Sequence, residues 1–356
     1  MSEQFIGVKP VEERHRIDAG RLEDFLKQRV EGFRGPLEIE QFKGGQSNPT
    51  YRITAGGKRY ALRRKPPGKL LPSAHAVDRE FKVIRALYSV GFPVARPYVL
   101  CEDDAVIGTA FYLMDCVDGR VLWDQALPGM QKSERRAIWE ELNRIIALLH
   151  GVDYKAVGLE GFGKAGSYIE RQVGRWSKQY LASETQKIEA MDKLIAWLPK
   201  NVPAAGETTI VHGDFRLDNT VFHPTEPRLL AVLDWELSTL GDPLADFSYH
   251  CMSWHIPAGL FRGIEGLPLA ELGIPTERDY VNLYFKRTGR KGVDPSVWDY
   301  YMAYNLFRLA AICQGIAKRV VDGTASSEHA REAGARARPL GELGWAQVEK
   351  ILQRAA

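Results

Sequence analysis

The chain has 356 residues, 45% of them hydrophobic and 26% charged, a composition that suits a folded protein long enough for two lobes and excludes a disordered or collagen-like one. Its net charge of +3 supplies no general field for nucleic acid or a membrane surface, so neither is expected as a partner. No apolar run approaches the roughly 18 residues that span a bilayer, and Met1–Arg16 is polar and mixed in charge, unlike a signal peptide.

Residues 18–30 carry a helical pattern in Leu22, Phe25, Leu26 and Val30 ahead of Gly32. Three short β-type runs follow, Leu37–Phe42, Tyr51–Thr54 and Arg59–Arg64, with Gly44-Gly45 and Gly56-Gly57 as hairpin turns between them. Pro66-Pro67 ends the third run. Val77–Val90 reads as a helix with Phe81, Ile84 and Leu87 on one face, and two more strands are expected near Pro97–Glu102 and Phe111–Cys116. Beyond Gly119 the pattern turns helical. Ile138, Leu142, Ile145, Ile146 and Leu149 form a stripe that Gly151 stops, and further helices are expected at 166–182, 186–198, 277–287, 296–321 and 340–354. One β-like island interrupts them: Thr209–Val211, Thr220–Phe222 and Leu229–Leu233.

The expected class is α+β. An N-terminal extension with a helix (1–36) either caps the next lobe or lies loose. A five-strand lobe with one inserted helix (37–118) precedes a mainly helical lobe holding a short hairpin (119–356). Cys101, Cys116, Cys251 and Cys313 lie in apolar stretches without a CxxC pair, as buried thiols do in a reducing cytoplasm, the expected location.

The chemistry concentrates in the island. Ile210-Val211-His212-Gly213-Asp214-Phe215-Arg216-Leu217-Asp218-Asn219 fills the loop after its first strand. The loop resembles the catalytic loop of kinases, where an aspartate is followed five residues later by an asparagine, and Asp214 and Asn219 keep that spacing. There the aspartate orients and deprotonates an attacking hydroxyl, and the asparagine amide oxygen ligates Mg2+ without adding charge. His212 would brace the loop. An isolated DxxxxN would read as a polar turn; the pieces that follow give it its meaning. Fifteen residues after Asn219, Val232-Leu233-Asp234-Trp235-Glu236 ends an apolar strand in a carboxylate, where kinases place the aspartate that chelates metal. Gly241-Asp242-Pro243-Leu244-Ala245-Asp246-Phe247 follows.

With these three pieces, residues 210–247 closely resemble the aminoglycoside phosphotransferase-like family, which groups antibiotic, choline, homoserine and related small-molecule kinases. The resemblance implies a bilobal protein-kinase-like fold, with a small antiparallel-sheet N-lobe, a large helical C-lobe and nucleotide between them. It implies ATP and Mg2+ as cofactors, Asp214 as catalytic base, Asn219 and Asp234 as metal ligands, and Asp246 with Asp242 supporting the catalytic loop from the following helix.

In Tyr60-Ala61-Leu62-Arg63, Arg63 takes the place of the phosphate-binding lysine of protein kinases, as often in the branch found beside or fused to acyl-CoA dehydrogenases. A guanidinium adds bidentate geometry. Its partner would be Glu80, with Asp78 the competing choice and unrelated surface charges the other reading. In Gly44-Gly45-Gln46-Ser47-Asn48, glycines would let backbone amides approach phosphates, with Ser47 and Asn48 donating from side chains; a plain hairpin turn explains the run as well. Adenine would hydrogen-bond backbone from Asp115 to Val117.

Only a few residues separate Glu236 from Gly241, against the roughly 20–30 of a peptide-holding activation segment. The expected acceptor is therefore a small-molecule hydroxyl. Lys318, Arg319, Arg331, Arg336 and Arg338 favour an anionic one if their segment lines the cleft, and otherwise form a solvated face. The run Tyr168–Tyr180 resembles the same acyl-CoA dehydrogenase-associated branch, which points to a hydroxyacyl-CoA or hydroxy acid. An antibiotic kinase and a catalytically silent nucleotide-binding scaffold are the alternatives. His150, His250, His255, Trp298, Tyr301, Tyr304 and Phe307 read as core or capping residues.

Overall fold

The computed structural model describes residues 7–43, 48–66, 76–204, 206–325 and 329–356. Up to the middle of the chain these form β1 (Val8–Lys9), α1 (Ala19–Arg29), β2 (Leu37–Phe42), β3 (Thr50–Ala55), β4 (Lys58–Arg64), α2 (Val77–Ser89), β5 (Pro97–Cys101), α3 (Asp104–Ile107) and β6 (Phe111–Asp115). There follow α4 (Lys132–His150), α5 (Tyr168–Ser183), α6 (Glu189–Trp197), β7 (Thr209–Val211), β8 (Thr220–Phe222), β9 (Leu229–Val232), β10 (Thr239–Gly241) and α7 (Pro243–Cys251). The chain closes with α8 (Leu269–Leu272), α9 (Glu277–Thr288), α10 (Pro295–Val321), α11 (Ala330–Ala335) and α12 (Ala337–Ala355). Two compact units result. One gathers residues up to 123 with 155–160 and 217–238; the other holds 124–154, 161–216 and 239–356.

The first unit is built on an antiparallel sheet of order β1-β2-β3-β4-β6-β5. Alternation in β3 sends Tyr51, Ile53 and Ala55 inward, and β4 adds Tyr60 and Leu62 to the same core. Helix α1 covers that face with Leu22 and Leu26, followed by Val30 and Phe33. The N-terminal extension is thus part of this core, and β1 makes a sixth strand where five are expected. On α2 the buried positions Val77, Glu80, Val83, Ile84 and Leu87 recur at helical spacing, which places one carboxylate on an otherwise apolar stripe.

The hairpin β8–β9 belongs to this unit, not to the helical one as the sequence suggests. Arg120 and Phe222 exchange backbone hydrogen bonds of 2.7 and 2.9 Å, and Val232 N–H donates to Pro93 O at 2.9 Å. Leu233 N–H donates to Asn219 O at 2.8 Å, prolonging the pairing to the residues that flank both strands.

The second unit is helical around α10, whose 27 residues are buried from Trp298 to Ala311 without a break. Strand β7 pairs antiparallel with β10, not with β8. The pairing Gly241↔Thr209 requires a glycine: a Cβ at 241 would stand 2.8 Å from both Tyr168 Cε2 and Val211 Cγ2. Asp242 then caps α7 by accepting from Leu244 N at 2.8 Å, with Pro243 in the first turn. No helix among the described residues is long and apolar enough to cross a membrane.

Candidate active site

In the first unit, Arg63 projects from β4 toward Glu80 on α2. Arg63 Nε stands 2.7 Å from Glu80 Oε2, and Nη2 stands 2.7 Å from Asp234 Oδ1 and 3.2 Å from Glu236 Oε2. One guanidinium thus faces three carboxylates, using its fork for more than one partner. Glu80 is buried and also accepts from Asn48 Nδ2 at 2.7 Å and Tyr112 OH at 3.0 Å. Burial works against the charge of Arg63, but Glu80 and Asp234 outweigh it and hold its pKa above the ordinary arginine value. Burial likewise pushes the Tyr112 hydroxyl far up, so it stays a donor to Glu80.

Asp78, the rival partner, instead lies 4.0 Å from Lys65 Nζ. Asn48 departs from the expected phosphate donor: it is fully buried and gives an amide hydrogen to Glu80. The Gly44, Gly45 and Ser47 turn lies outside the described residues. Glu236, to which the sequence reading gives no role, joins the Arg63 array; its place two residues after Asp234 is the only available signal.

Asp234 leaves β9 in the left-handed region, at φ 64° and ψ 61°. A non-glycine residue there costs about 1 kcal/mol or more, and it begins a 3-10 turn that sets Glu236 beside the same guanidinium. Trp235 anchors that turn by donating from Nε1 to Val232 O at 3.0 Å and by packing edge-on against Phe92. Asn219 precedes β8 and Asp234 follows β9, so the Thr220↔Val232 pairing brings their backbones together. An amide oxygen and a carboxylate are hard donors of the kind Mg2+ takes beside water and phosphate oxygens, so the donor set fits that ion.

At the end of β6 the Asp115 and Cys116 amides are already engaged, by Arg96 O at 2.9 Å and Arg59 O at 3.3 Å. This narrows the expected adenine contact: of the stretch from Asp115 to Val117, two N–H groups serve the sheet. The Asp115 carboxylate accepts from Tyr98 OH at 2.5 Å and faces Lys58 Nζ at 3.4 Å.

In the second unit, the loop after β7 is fastened by one carboxylate. Asp246, on the first turn of α7, accepts from His212 N and Gly213 N, each at 2.8 Å. His150 Nε2 lies 3.1 Å from the same Asp246 Oδ2, and its Nδ1 is 2.7 Å from Tyr284 OH. Burial alone would raise the Asp246 pKa, but the His150 bond, with help from His212, brings it below the ordinary carboxylate range. Gly213 takes φ +81°, the left-handed conformation glycine adopts without strain.

Asp214 N then donates to His212 Nδ1 at 3.1 Å, which assigns the His212 proton to Nε2. The Asp214 carboxylate accepts from Tyr249 OH at 2.6 Å through Oδ1 and pairs with Arg216 Nη2 at 2.9 Å through Oδ2. Arg308, on α10, donates to Gly213 O at 2.6 Å. The sequence reading missed Tyr249 and Arg308. The one available signal is an arginine in the middle of an apolar helix. Of the basic segment, Lys318 pairs with Asp322 at 2.6 Å and Arg338 donates to Lys187 O at 3.0 Å; both lie among exposed groups.

The phosphotransferase enzyme family matches residues 38–274. Acyl-CoA dehydrogenase family member 10 of Mus musculus is 46% identical over 340 residues, which are 95% of this chain and 32% of that protein. The chain therefore spans about a third of that relative's length. The crystal structure of a Ralstonia eutropha protein, provisionally described as an aminoglycoside phosphotransferase, is 57% identical and covers 94% of this chain and 99% of that one at a TM-score of 0.86. Spectinomycin phosphotransferase, solved with ADP and spectinomycin, shares 12% identity over 93% of this chain and 99% of its own at a TM-score of 0.60, a likeness of fold alone. The fold is α+β, bilobal and protein-kinase-like, with a small antiparallel-sheet lobe and a large, mainly helical one.

Proposed function

The chain belongs to the phosphotransferase enzyme family, and on that premise we propose that it is a Mg2+- and ATP-dependent kinase acting on a small-molecule hydroxyl. The observation that carries the reading is the Arg63 array, in which a buried cation is shared between a structural carboxylate, Glu80, and the candidate metal ligand, Asp234. A phosphate-binding cation needs an anchor that survives nucleotide binding and a partner it can give up. Glu80, held also by Asn48 and Tyr112, is the anchor. Asp234, a third exposed, is the partner to give up. Arg63 would trade Asp234 for phosphate oxygens, freeing that carboxylate to hold the metal with Asn219.

Bound there, Mg2+ would screen the phosphate charge as it develops during transfer. Asp214 would orient the acceptor hydroxyl and take its proton at a carboxylate oxygen. Catalysis would then be positioning and charge neutralisation, with no covalent intermediate on the protein. Adenine would bind at Val117, since the Asp115 and Cys116 amides serve the sheet.

We further propose a hydroxy acid or hydroxyacyl-CoA as acceptor, supported by the acyl-CoA dehydrogenase family names of the relatives, and a cytoplasmic location, supported by four free cysteines. The test is Mg-ATP turnover by purified protein against hydroxyacyl-CoAs, free hydroxy acids, choline, homoserine and aminoglycosides, with Asp214→Ala as control. Transfer to one class, falling by about 1,000-fold in the control, is the expected result. Transfer that survives in Asp214→Ala would remove the base from the proposal, and transfer to aminoglycosides alone would replace the acceptor.

A further inference from the structure

Arg308 is a buried cation, 5% exposed, in the middle of α10, and among the described residues no carboxylate lies within salt-bridge distance of it. Burying a guanidinium without a direct ion pair is costly, and such a group persists where the surroundings use it. Its surroundings are specific. Nη2 donates to Gly213 O at 2.6 Å, one residue before Asp214. The guanidinium carbon stands 4.8 Å from the centroid of the Tyr249 ring and 5.5 Å from that of Trp176. Its Nε is buried and makes no hydrogen bond. Tyr249, under the guanidinium, is the residue whose hydroxyl meets Asp214 Oδ1 at 2.6 Å.

From this geometry we propose that Arg308 and Tyr249 act as one positioning pair for Asp214: Arg308 fixes the loop backbone at Gly213 and seats the Tyr249 ring, and Tyr249 fixes the carboxylate. The inference rests on the reading of Asp214 as the base and adds the residues that aim it. A guanidinium suits the task because its plane can lie over a ring while its edge donates to a carbonyl. An ammonium would donate to Gly213 O and lose much of the contact with the ring. A neutral residue would lose both. Asp246 fastens the same loop through the His212 and Gly213 amides, so the loop is held on both sides of the Gly213 residue. Arg308 acts on the carbonyl, the side that leads into Asp214.

The pair makes a prediction that packing alone does not. Two residues that aim one carboxylate through one path are coupled, and removing the second after the first has little left to remove. The experiment measures Mg2+-dependent phosphate release from ATP by the full chain, with water as acceptor, for wild type, Arg308→Met, Tyr249→Phe, the double variant, Arg308→Lys and Asp214→Asn. Mg-ATP binding and thermal midpoint are recorded for each. Arg308→Met is expected to lower kcat by about 100-fold and Tyr249→Phe by about 10-fold, with KM for ATP within about 3-fold of wild type. The double variant is expected to match Arg308→Met, and Arg308→Lys to recover about 10-fold. Should Arg308→Met fail to fold, Arg308→Lys, Tyr249→Phe and the double variant of these two form the same cycle. Additive losses in the double variant, or wild-type kcat in both single variants while Asp214→Asn is silent, would overturn the pair and leave the base in place. Equal release by Asp214→Asn and wild type, zero included, would overturn the base and the pair with it.

Discussion

Arg63 and Arg308 are both buried guanidiniums, one in each unit, and they are balanced in opposite ways. Arg63 stands among Glu80, Asp234 and Glu236, in a cluster rich in formal charge. Arg308 has a carbonyl and aromatic faces, and among the described residues no carboxylate in salt-bridge contact. The first arrangement suits a cation that must exchange partners, because the charges it leaves behind can regroup. The second suits a cation that must stay where it is, because its direct contacts, a carbonyl and two rings, carry no formal charge to exchange. In the second unit burial also keeps some ionisable groups neutral: it depresses the His250 pKa to about 4 and raises that of Tyr304 to about 12.

The contrast can be broken by stability measurements. Glu80→Gln removes the anchor of Arg63 and leaves a buried guanidinium short of one counter-charge, a change expected to lower unfolding free energy by about 3 kcal/mol or more. Arg308→Met orphans only the Gly213 carbonyl, at an expected cost of about 1–2 kcal/mol. Denaturant titration of both variants checks the order. Equal losses would mean that the two guanidiniums are balanced alike.

Nucleotide binding sharpens the same contrast. Asp234→Ala is expected to weaken Mg-ATP binding by roughly 100-fold, while binding of ATP without metal falls far less, since Arg63 keeps Glu80. Calorimetry with and without Mg2+ separates the two. An unchanged Mg-ATP affinity would show that Asp234 is a structural partner of Arg63 and no metal ligand.

How much of this was legible in the sequence follows from the reach of each contact. His212, Asp214, Asn219, Asp234 and Asp246 fall within thirty-five residues, so one short run of sequence carried the family resemblance that singled them out, and the same resemblance matched Arg63 on a strand with Glu80 on the helix inserted after it. The strands from Leu37 to Asp115 were legible because alternation and glycine turns mark them. Strand β1 has two residues, too few to show a period. The partition of the island was illegible because β7 has its partner at 239–241 and β8 has its own at 229–232, a choice made by packing on different units. Tyr249 and Arg308 meet across fifty-nine positions, and neither residue type signals the other. Asn48 read as a phosphate donor because nothing local announces that its amide turns inward to Glu80.

The smallest effect probes how the second unit stores its protons. His250 is buried against Tyr280, with Nε2 2.7 Å from the hydroxyl, and burial, opposed by the Asp246 charge, depresses its pKa to about 4. In the unfolded chain the imidazole returns to about 6.5. Between those values the unfolded state binds the extra proton, so stability rises with pH through this window and falls on acidification. From pH 7 to pH 5 the loss is expected to be about 2 kcal/mol. His250→Gln offers Tyr280 a polar partner of similar reach but cannot be protonated, so its unfolding free energy should vary less over the same interval by about that amount. Denaturant titrations at pH 7 and pH 5 supply the comparison. If wild type and variant show the same slope, His250 is charged in the fold as well.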